Sequence, residues 1–285
     1  MRAMDIQAAL AYGRSQLTPH SPTPRLDARL LLEHLLGVPH SYLILHHNEL
    51  LTAVQQQHYQ QLITRAQQEE PIPYIIGHAP FFDFDLHVAP GVLIPRPETE
   101  QLVELAVAWA KKRETEAALR AVDVGTGSGC IAIALARHLP QLQVTAVDIS
   151  PTALTIAQQN AQQLAPNRIH FQESDLLQAV TDPVDLIVAN LPYVTSGEWQ
   201  VLADGVKLHE PSLALDGGED GLDLIRRLLI QATTRLRPKG ALFLEIGWQQ
   251  GKAVRRLAQT CFPAAAITIL PDFAGHERFV KIKTD

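Results

Sequence analysis

The run Ala121-Val122-Asp123-Val124 passes directly into Gly125-Thr126-Gly127-Ser128-Gly129 and then into the apolar stretch Cys130-Ile131-Ala132-Ile133-Ala134. A short β-type run, a glycine turn and an apolar helix predict the opening of a βαβ unit, whose glycines let a ligand approach the backbone. The strand that follows ends in Asp148, 23 residues beyond Gly125, where dinucleotide folds place the acid that holds ribose hydroxyls. A tight strand-to-helix connection with no ligand would also use glycines, but it gives no reason for the acid.

Strand and helix patterns alternate around this unit. Strands are predicted over 121–125, 143–149, 168–172, 184–190 and 241–247, and helices over 130–138, 151–163 and 222–236. Such alternation predicts an α/β fold with a mostly parallel sheet. The β runs 266–270 and 278–282 are joined by Pro271 to Glu277, too short for a crossover helix, so the last strand is antiparallel. Residues 5–70 carry only helical spacing, broken at Thr18-Pro19, at Ser21 to Pro24 and at Gly37 to Pro39. In the glutamine-rich run 55–68, Tyr59, Leu62, Ile63 and Ala66 keep one apolar face, which favours a solvated helix over low complexity. Residues 71–95 turn to Pro, Gly and aromatics, with β-type runs at 81–86 and 91–94, and predict a hairpin linker. Pro97 with Glu98 and Glu100 opens a helix that reaches about Arg113. The domains are therefore a helical one over 1–70, the linker 71–95 and an α/β domain over 96–285.

Composition narrows the functional classes. A chain of 285 residues with 46% apolar content exceeds one modest domain. Its net charge of -6 supplies no broad positive field, so direct nucleic-acid binding is not expected. Cys130 and Cys261 form neither a CxxC nor a disulfide framework, which fits a reducing cytoplasm. The N-terminal residues hold no uninterrupted apolar segment, and no stretch reaches the roughly 18 apolar residues of a membrane span. No His, Cys and carboxylate set has zinc spacing, and Asp216 to Gly221 is out of register for a calcium loop, so no metal is expected.

The ligand class follows from the glycine spacing, which is GxGxG and not GxGxxG. A pyrophosphate loop sets its third glycine one position later, where the helix N-terminus meets the phosphates. A loop that only passes close to a methionine moiety needs small residues and no anion cradle, which points to S-adenosyl-L-methionine. Gly125, Thr126, Gly127, Ser128 and Gly129 would line it, and Asp148 would hold the ribose. Asp175 would accept from the adenine amino group, with Leu176 against the base; the alternative for Asp175 is a cap on a following short helix.

The strand 184–190 ends in Asn190-Leu191-Pro192-Tyr193. This tetrad resembles the (Asn/Asp)-Pro-Pro-(Tyr/Phe) signature of methyltransferases that act on planar conjugated amino groups, adenine N6 or glutamine N5. An amide nitrogen delocalises its lone pair into the carbonyl and is a poor nucleophile until acceptors hold its N–H groups. Asn190 would supply one acceptor and also border the cofactor, the Leu191 carbonyl would supply the second, Pro192 would fix the turn, and Tyr193 would pack on the flat substrate group. Leu191 departs from the proline usual in the glutamine enzymes, and the tetrad is also similar to that of ribosomal RNA adenine dimethyltransferases.

The flanks separate these readings. Pro71-Ile72-Pro73-Tyr74-Ile75-Ile76-Gly77, Phe81 and Phe84, Val92-Leu93-Ile94-Pro95-Arg96-Pro97-Glu98-Thr99-Glu100, His209-Glu210-Pro211, Leu215 to Leu222 and Glu245-Ile246-Gly247 resemble the release factor glutamine methyltransferases over nearly the whole chain. That resemblance implies a Rossmann-like seven-stranded methyltransferase sheet with an antiparallel last strand, preceded by the small helical domain and the hairpin. It also implies a peptide chain release factor as protein substrate, methylated on the glutamine of its Gly-Gly-Gln loop; because a catalytic pocket lies at a distance from the rest of a large partner's surface, the helical domain is expected to recognise the body of that protein. An adenine N6-methyltransferase and a nucleotide-binding module without catalysis are the competing classes; the intact tetrad speaks against the second. Arg96, Glu98 and Glu100 fit either a substrate channel or a charged helix start, Phe81-Phe82 fit core or substrate platform, and Glu245 stands near the site or exposed.

Overall fold

The computed structural model describes residues 4–113 and 118–285. Residues 1–3, which begin the predicted helical domain and the N-terminal segment read above, lie outside the described residues. The chain divides into two compact units, Met1–His78 with Ala203–His209, and Ala79–Leu202 with Glu210–Asp285.

The first unit is helical: α1 (Ile6–Leu17), α2 (Pro24–Leu36), α3 (His40–Leu45), α4 (Ala53–Gln67) and α5 (Ile72–Ile76). Each break has a local cause. Asp5 caps α1, Pro24 starts α2, Gly37 ends it with φ +64°, and Thr52 with Gln55 forms a capping box on α4. Tyr59, Ile63 and Ala66 are buried, with Leu62 packed beside them, so the glutamine-rich run is an amphipathic helix. The Tyr59 hydroxyl donates to the Ala28 carbonyl at 2.9 Å, and a Cβ on Gly13 would sit 2.2 Å from that hydroxyl.

The second unit opens with a two-stranded sheet, β1 (His78–Phe81) and β2 (Phe84–His87), followed by α6 (Pro97–Lys111). The predicted β run at Gly91 to Ile94 is not a strand: the segment passes as coil, and its Ile94 N–H goes to the Glu210 carboxylate. The main sheet comprises β3 (Arg120–Val124), β4 (Gln143–Asp148), β5 (Ile169–Glu173), β6 (Val184–Asn190), β7 (Leu236–Glu245), β8 (Ala266–Pro271) and β9 (Glu277–Lys283), in the order β5-β4-β3-β6-β7-β9-β8. The first five are parallel, and β9 runs antiparallel to both β7 and β8. Helices α7 (Cys130–His138), α8 (Pro151–Leu164), α11 (Asp223–Ala232) and α12 (Gly251–Cys261) accompany the sheet. The chain after β6 forms α9 (Ser196–Val201) and then α10 (Asp204–His209), which belongs to the first unit; the sequence pattern predicted neither. The predicted helix 222–236 stops at Ala232, because Leu236 already pairs with Val184 as the start of β7.

Strand order reverses between β3 and β6, and their parallel register sets Val124 beside Ala189. The glycine turn after β3 and the tetrad that begins at the last residue of β6 therefore lie side by side, at the position where open α/β sheets bind ligands. Asn160 on α8 braces this end. Its Nδ2 donates to the carbonyls of His87 and Ser128, each at 2.9 Å, and its Oδ1 accepts from the His87 N–H at 2.8 Å. Asn160→Ala would strip all three bonds from a 2% exposed position, and we expect it to cost about 1–3 kcal/mol. Urea unfolding followed by circular dichroism checks this.

Candidate active site

A cavity of about 390 Å³ opens at the switch point, lined among others by Gly125, Gly127, Asp148, Asp175, Leu176 and Asn190. Its size suits a small-molecule ligand. Thr126, Ser128, Leu191 and Pro192 also line it, so the fold gathers both groups of sequence-predicted residues around one space, with Gly129 and Tyr193 flanking it.

The glycine turn has distinct local requirements. Gly125, Gly127 and Gly129 have φ of +73°, +55° and +86°, the left-handed region that other residues enter at a cost. A Cβ on Gly129 would meet Ala157 at 3.1 Å, so this glycine lets α8 pack close. A Cβ on Gly127 would meet nothing within 4 Å, and this glycine lines the cavity. Thr126 and Ser128 are nearly buried. The Thr126 hydroxyl donates at 2.6 Å to Asp123, which also accepts from the Ala132 N–H at 3.1 Å. Asp123 is fully buried with Oδ1 unpartnered, and burial pushes its carboxyl up to about 7.

Asp148 ends β4 as a double acceptor, taking the Gly127 N–H on Oδ2 and the Ser150 N–H on Oδ1, both at 2.9 Å. Each oxygen keeps a second lone pair for a ligand hydroxyl. Burial raises its carboxyl above the usual range, against the pull of those N–H groups. Asp175 pairs through Oδ2 with Arg227, which also lines the cavity, and takes Gln178 Nε2 at 3.1 Å on the same oxygen. The segment after Asp175 is a turn and not a helix, and its Ala179 N–H is taken by the Ser174 hydroxyl. Leu176 is 7% exposed and lines the cavity in a left-handed conformation, φ +55°, a strained state that surrounding structure must hold.

The tetrad is anchored at several points. Leu191 is 3% exposed within the main apolar cluster, and its Cδ2 lies 3.1 Å from where a Cβ on Gly125 would stand. Asn190 donates through Nδ2 to the Thr99 hydroxyl at 3.0 Å, and Thr99 donates to Glu245 Oε2 at 2.8 Å. The Tyr193 hydroxyl makes a longer contact, 3.5 Å, with Glu245 Oε1, and its carbonyl accepts from Gln250 Nε2 at 2.9 Å. Glu245 is therefore at the site and buried, and burial pushes its carboxyl up to about 7. The charged helix start divides its work. Arg96 lines the cavity and pairs with buried Glu210 at 2.6 Å, Glu100 accepts the Phe82 N–H at 2.9 Å, and Glu98 is exposed. Phe81 is 1% exposed and belongs to the core.

Two family models match the chain: the PrmC N-terminal domain over residues 8–77 and the methyltransferase small domain over 107–207. The release factor glutamine methyltransferase of Koribacter versatilis is 42% identical over 262 residues, covering 91% of each chain. That of Salmonella typhimurium is 38% identical and covers 96% of this chain and 97% of its own. The chain belongs to the release factor glutamine methyltransferase family. A methyltransferase structure from Pyrococcus furiosus shares the fold, with TM-score 0.51 at 17% identity over 71% of this chain and 89% of that one.

The family cofactor is S-adenosylmethionine, and the residues present fit it. The open space over Gly127, the free lone pairs of Asp148 and the apolar wall at Leu176 suit a methionine chain, a ribose and a base, and the two arginines of the lining, Arg96 and Arg227, are each paired with a carboxylate, Glu210 and Asp175. Among the described residues no cluster of His, Cys, Asp and Glu has a metal-binding arrangement, and no helix is long and apolar enough to cross a membrane. Sequence reasoning missed Asp123, Thr99, Arg227 and Gln250 at this site. A buried acid inside an apolar strand was the available signal for Asp123. If Asp148 holds the ribose, Asp148→Ala removes charged hydrogen bonds worth about 1.5–3 kcal/mol, so we expect S-adenosylmethionine to bind about 10- to 150-fold more weakly by titration calorimetry.

Proposed function

We propose that this enzyme methylates the side-chain amide nitrogen of the glutamine in the Gly-Gly-Gln loop of peptide chain release factors. The observation that carries this reading is the pairing of the Asn190 tetrad with the glycine-turn cavity across adjacent strand ends. S-adenosylmethionine, when bound, supplies a methyl group activated by the sulfonium. The chain's own residues prepare the acceptor. Asn190 Oδ1 accepts one N–H of the substrate amide, and the Leu191 carbonyl accepts the other. With both protons held, the nitrogen turns its lone pair towards the methyl group, and it sheds a proton once alkylation has made it acidic. Positioning and hydrogen bonding supply the catalysis, and no strong base is needed. Tyr193 offers its ring as a flat wall for the carboxamide.

The decisive assay incubates the protein with methyl-labelled S-adenosylmethionine and either a release factor or its Gln→Ala form, and locates the label by mass spectrometry. Label on the Gly-Gly-Gln glutamine alone is the expected result; label on ribosomal RNA or DNA instead would overturn the substrate assignment. Asn190→Ala should lower kcat on the order of 10²–10³, the usual loss for one transition-state hydrogen-bond partner, with cofactor binding retained in calorimetry.

The helical unit serves in this reading as the module that recognises the body of the release factor. Ile44, Leu45, Leu50 and Val54 are exposed within a short stretch of it, at 60–76% of their full accessibility, an arrangement that suits a protein partner. Leu45→Asp should raise KM for the release factor tenfold or more, since burying a leucine is worth about 1.5–3 kcal/mol, and leave the affinity for S-adenosylmethionine unchanged.

A further inference from the structure

An asparagine amide presents an oxygen on one side and an NH2 group on the other, and only the oxygen can hold a substrate N–H. Which side faces the cavity is decided behind Asn190. Thr99 Oγ1 lies 3.0 Å from Asn190 Nδ2 and 2.8 Å from Glu245 Oε2, with Thr99 2% and Glu245 1% exposed. A hydroxyl has one proton to give. A carboxylate at Glu245 only accepts, so it takes that proton, and Thr99 is left with lone pairs alone for Asn190. The NH2 group of Asn190 must then face Thr99, and Oδ1 is free for the cavity; among the described residues no donor meets it.

We infer that Thr99 and Glu245 are positioning residues that set the sense of the Asn190 amide and so select an N–H donor as the methyl acceptor. The inference rests on the reading of the acceptor as a carboxamide. It gives the network a direction that packing alone would not. With Glu245 protonated, the carboxyl can donate to Thr99, whose proton then turns to Asn190, and the flipped amide is equally satisfied. The flipped amide offers NH2 to the substrate NH2, donor against donor.

The groups facing Glu245 are Glu98 and Thr99 from α6, Tyr193 from the tetrad, Arg278 from β9 and, at the start of α7, Cys130. Burial, with a small addition from Glu98, outweighs Arg278 and the two hydroxyls and holds the carboxyl at about 7. The amide sense is therefore set above this pH and released below it.

The test uses the full chain. The protein has four asparagines, so a spectrum of side-chain amides labelled with nitrogen-15 in asparagine can be resolved, with the Asn190 signal assigned by its loss in Asn190→Asp. Expected in the parent is a slowly exchanging Asn190 NH2 that loses protection as pH falls through about 7. Thr99→Val should abolish that protection, Thr99→Ser should keep it, and Glu245→Gln should make it independent of pH. In methylation assays Thr99→Val should lower kcat at least tenfold with cofactor affinity within twofold, Thr99→Ser should stay within threefold of the parent, and the acid limb of kcat near pH 7 should vanish in Glu245→Gln. Asp123 also has its carboxyl near 7, and a limb that persists in Glu245→Gln would assign the titration there and sink the role of Glu245. A Thr99→Val protein that keeps kcat, or a Thr99→Ser protein as impaired as Thr99→Val, would overturn the role of Thr99. Absence of Gly-Gly-Gln methylation in the parent with the Asn190 signature intact would instead refute the substrate reading and leave the positioning network standing.

Discussion

Parallel pairing of β3 with β6 is the constraint on which the site depends. Both strands are buried and, apart from Asp123 and Asp185, apolar from Ala121 to Val124 and from Val184 to Ala189, and such strands are stable only inside a sheet covered on both faces. Their register sets Val124 beside Ala189, so the next residues, Gly125 and Asn190, lie together at the strand ends, where Asn190 still pairs with Glu245 of β7. A one-residue slip would turn alternate side chains to the opposite face, and the Asn190 side chain with them. The glycine turn and Asn190 are brought together here by hydrophobic burial along strands of which only the ends reach the cavity.

The polar parts of the site are held from outside the sheet. Asn160 ties the β1–β2 hairpin to the glycine turn, Glu210 holds both Arg96 and the Ile94 N–H, and Gln250 clasps the Tyr193 carbonyl while accepting the Gly247 N–H at 2.8 Å. Each is a side chain that satisfies backbone groups of a loop with no ladder of its own. Loops that would otherwise sample many conformations are thus fixed by a few buried or half-buried bonds. The cost of ordering them, about 1–2 kcal/mol per residue for the backbone, is met by contacts that sequence-distant elements provide.

This division explains what the sequence revealed. Strands and helices around the cavity were legible because their apolar periodicity and caps are local: Ser150 caps α8 with Pro151 at its first position, and Pro97 opens α6. The glycine turn, Asp148 and the tetrad were legible because each sits at a strand end as a short contiguous motif, whose residue types and spacing can be read without knowing the fold. What escaped was long-range. Thr99 reads as one more residue of a helix start, and only the fold shows its hydroxyl between Asn190 and Glu245, 91 residues from the first and 146 from the second. Glu245 fitted two readings because exposure at a strand end depends on what covers it. The helices α9 and α10 escaped because six residues each is too short for periodicity to register, and α12 escaped although Val254, Leu257 and Ala258 carry helical spacing over its eleven residues. Residues 222–236 were read as one helix because Leu236 continues the apolar spacing, although it is already pairing with β6.

The departure at Leu191 can be resolved physically. A proline at the second tetrad position limits the backbone by closing a ring on its own nitrogen, which lowers the entropy of the unfolded chain as well as fixing φ. Leucine has no such ring and must be fixed by packing. It is 3% exposed, shares the main apolar cluster with Val124, Leu176 and Ile246, and reaches over Gly125, where a Cβ would press on its Cδ2 at 3.1 Å. Burial of a leucine is worth about 1.5–3 kcal/mol, more than the roughly 0.4–1 kcal/mol that a compatible proline contributes through the unfolded state. The Leu191 carbonyl is therefore held by an anchor in the core in place of a ring in the backbone. The absence of a side chain at Gly125, read first as a requirement of the cofactor, is equally a requirement of the residue that follows Asn190.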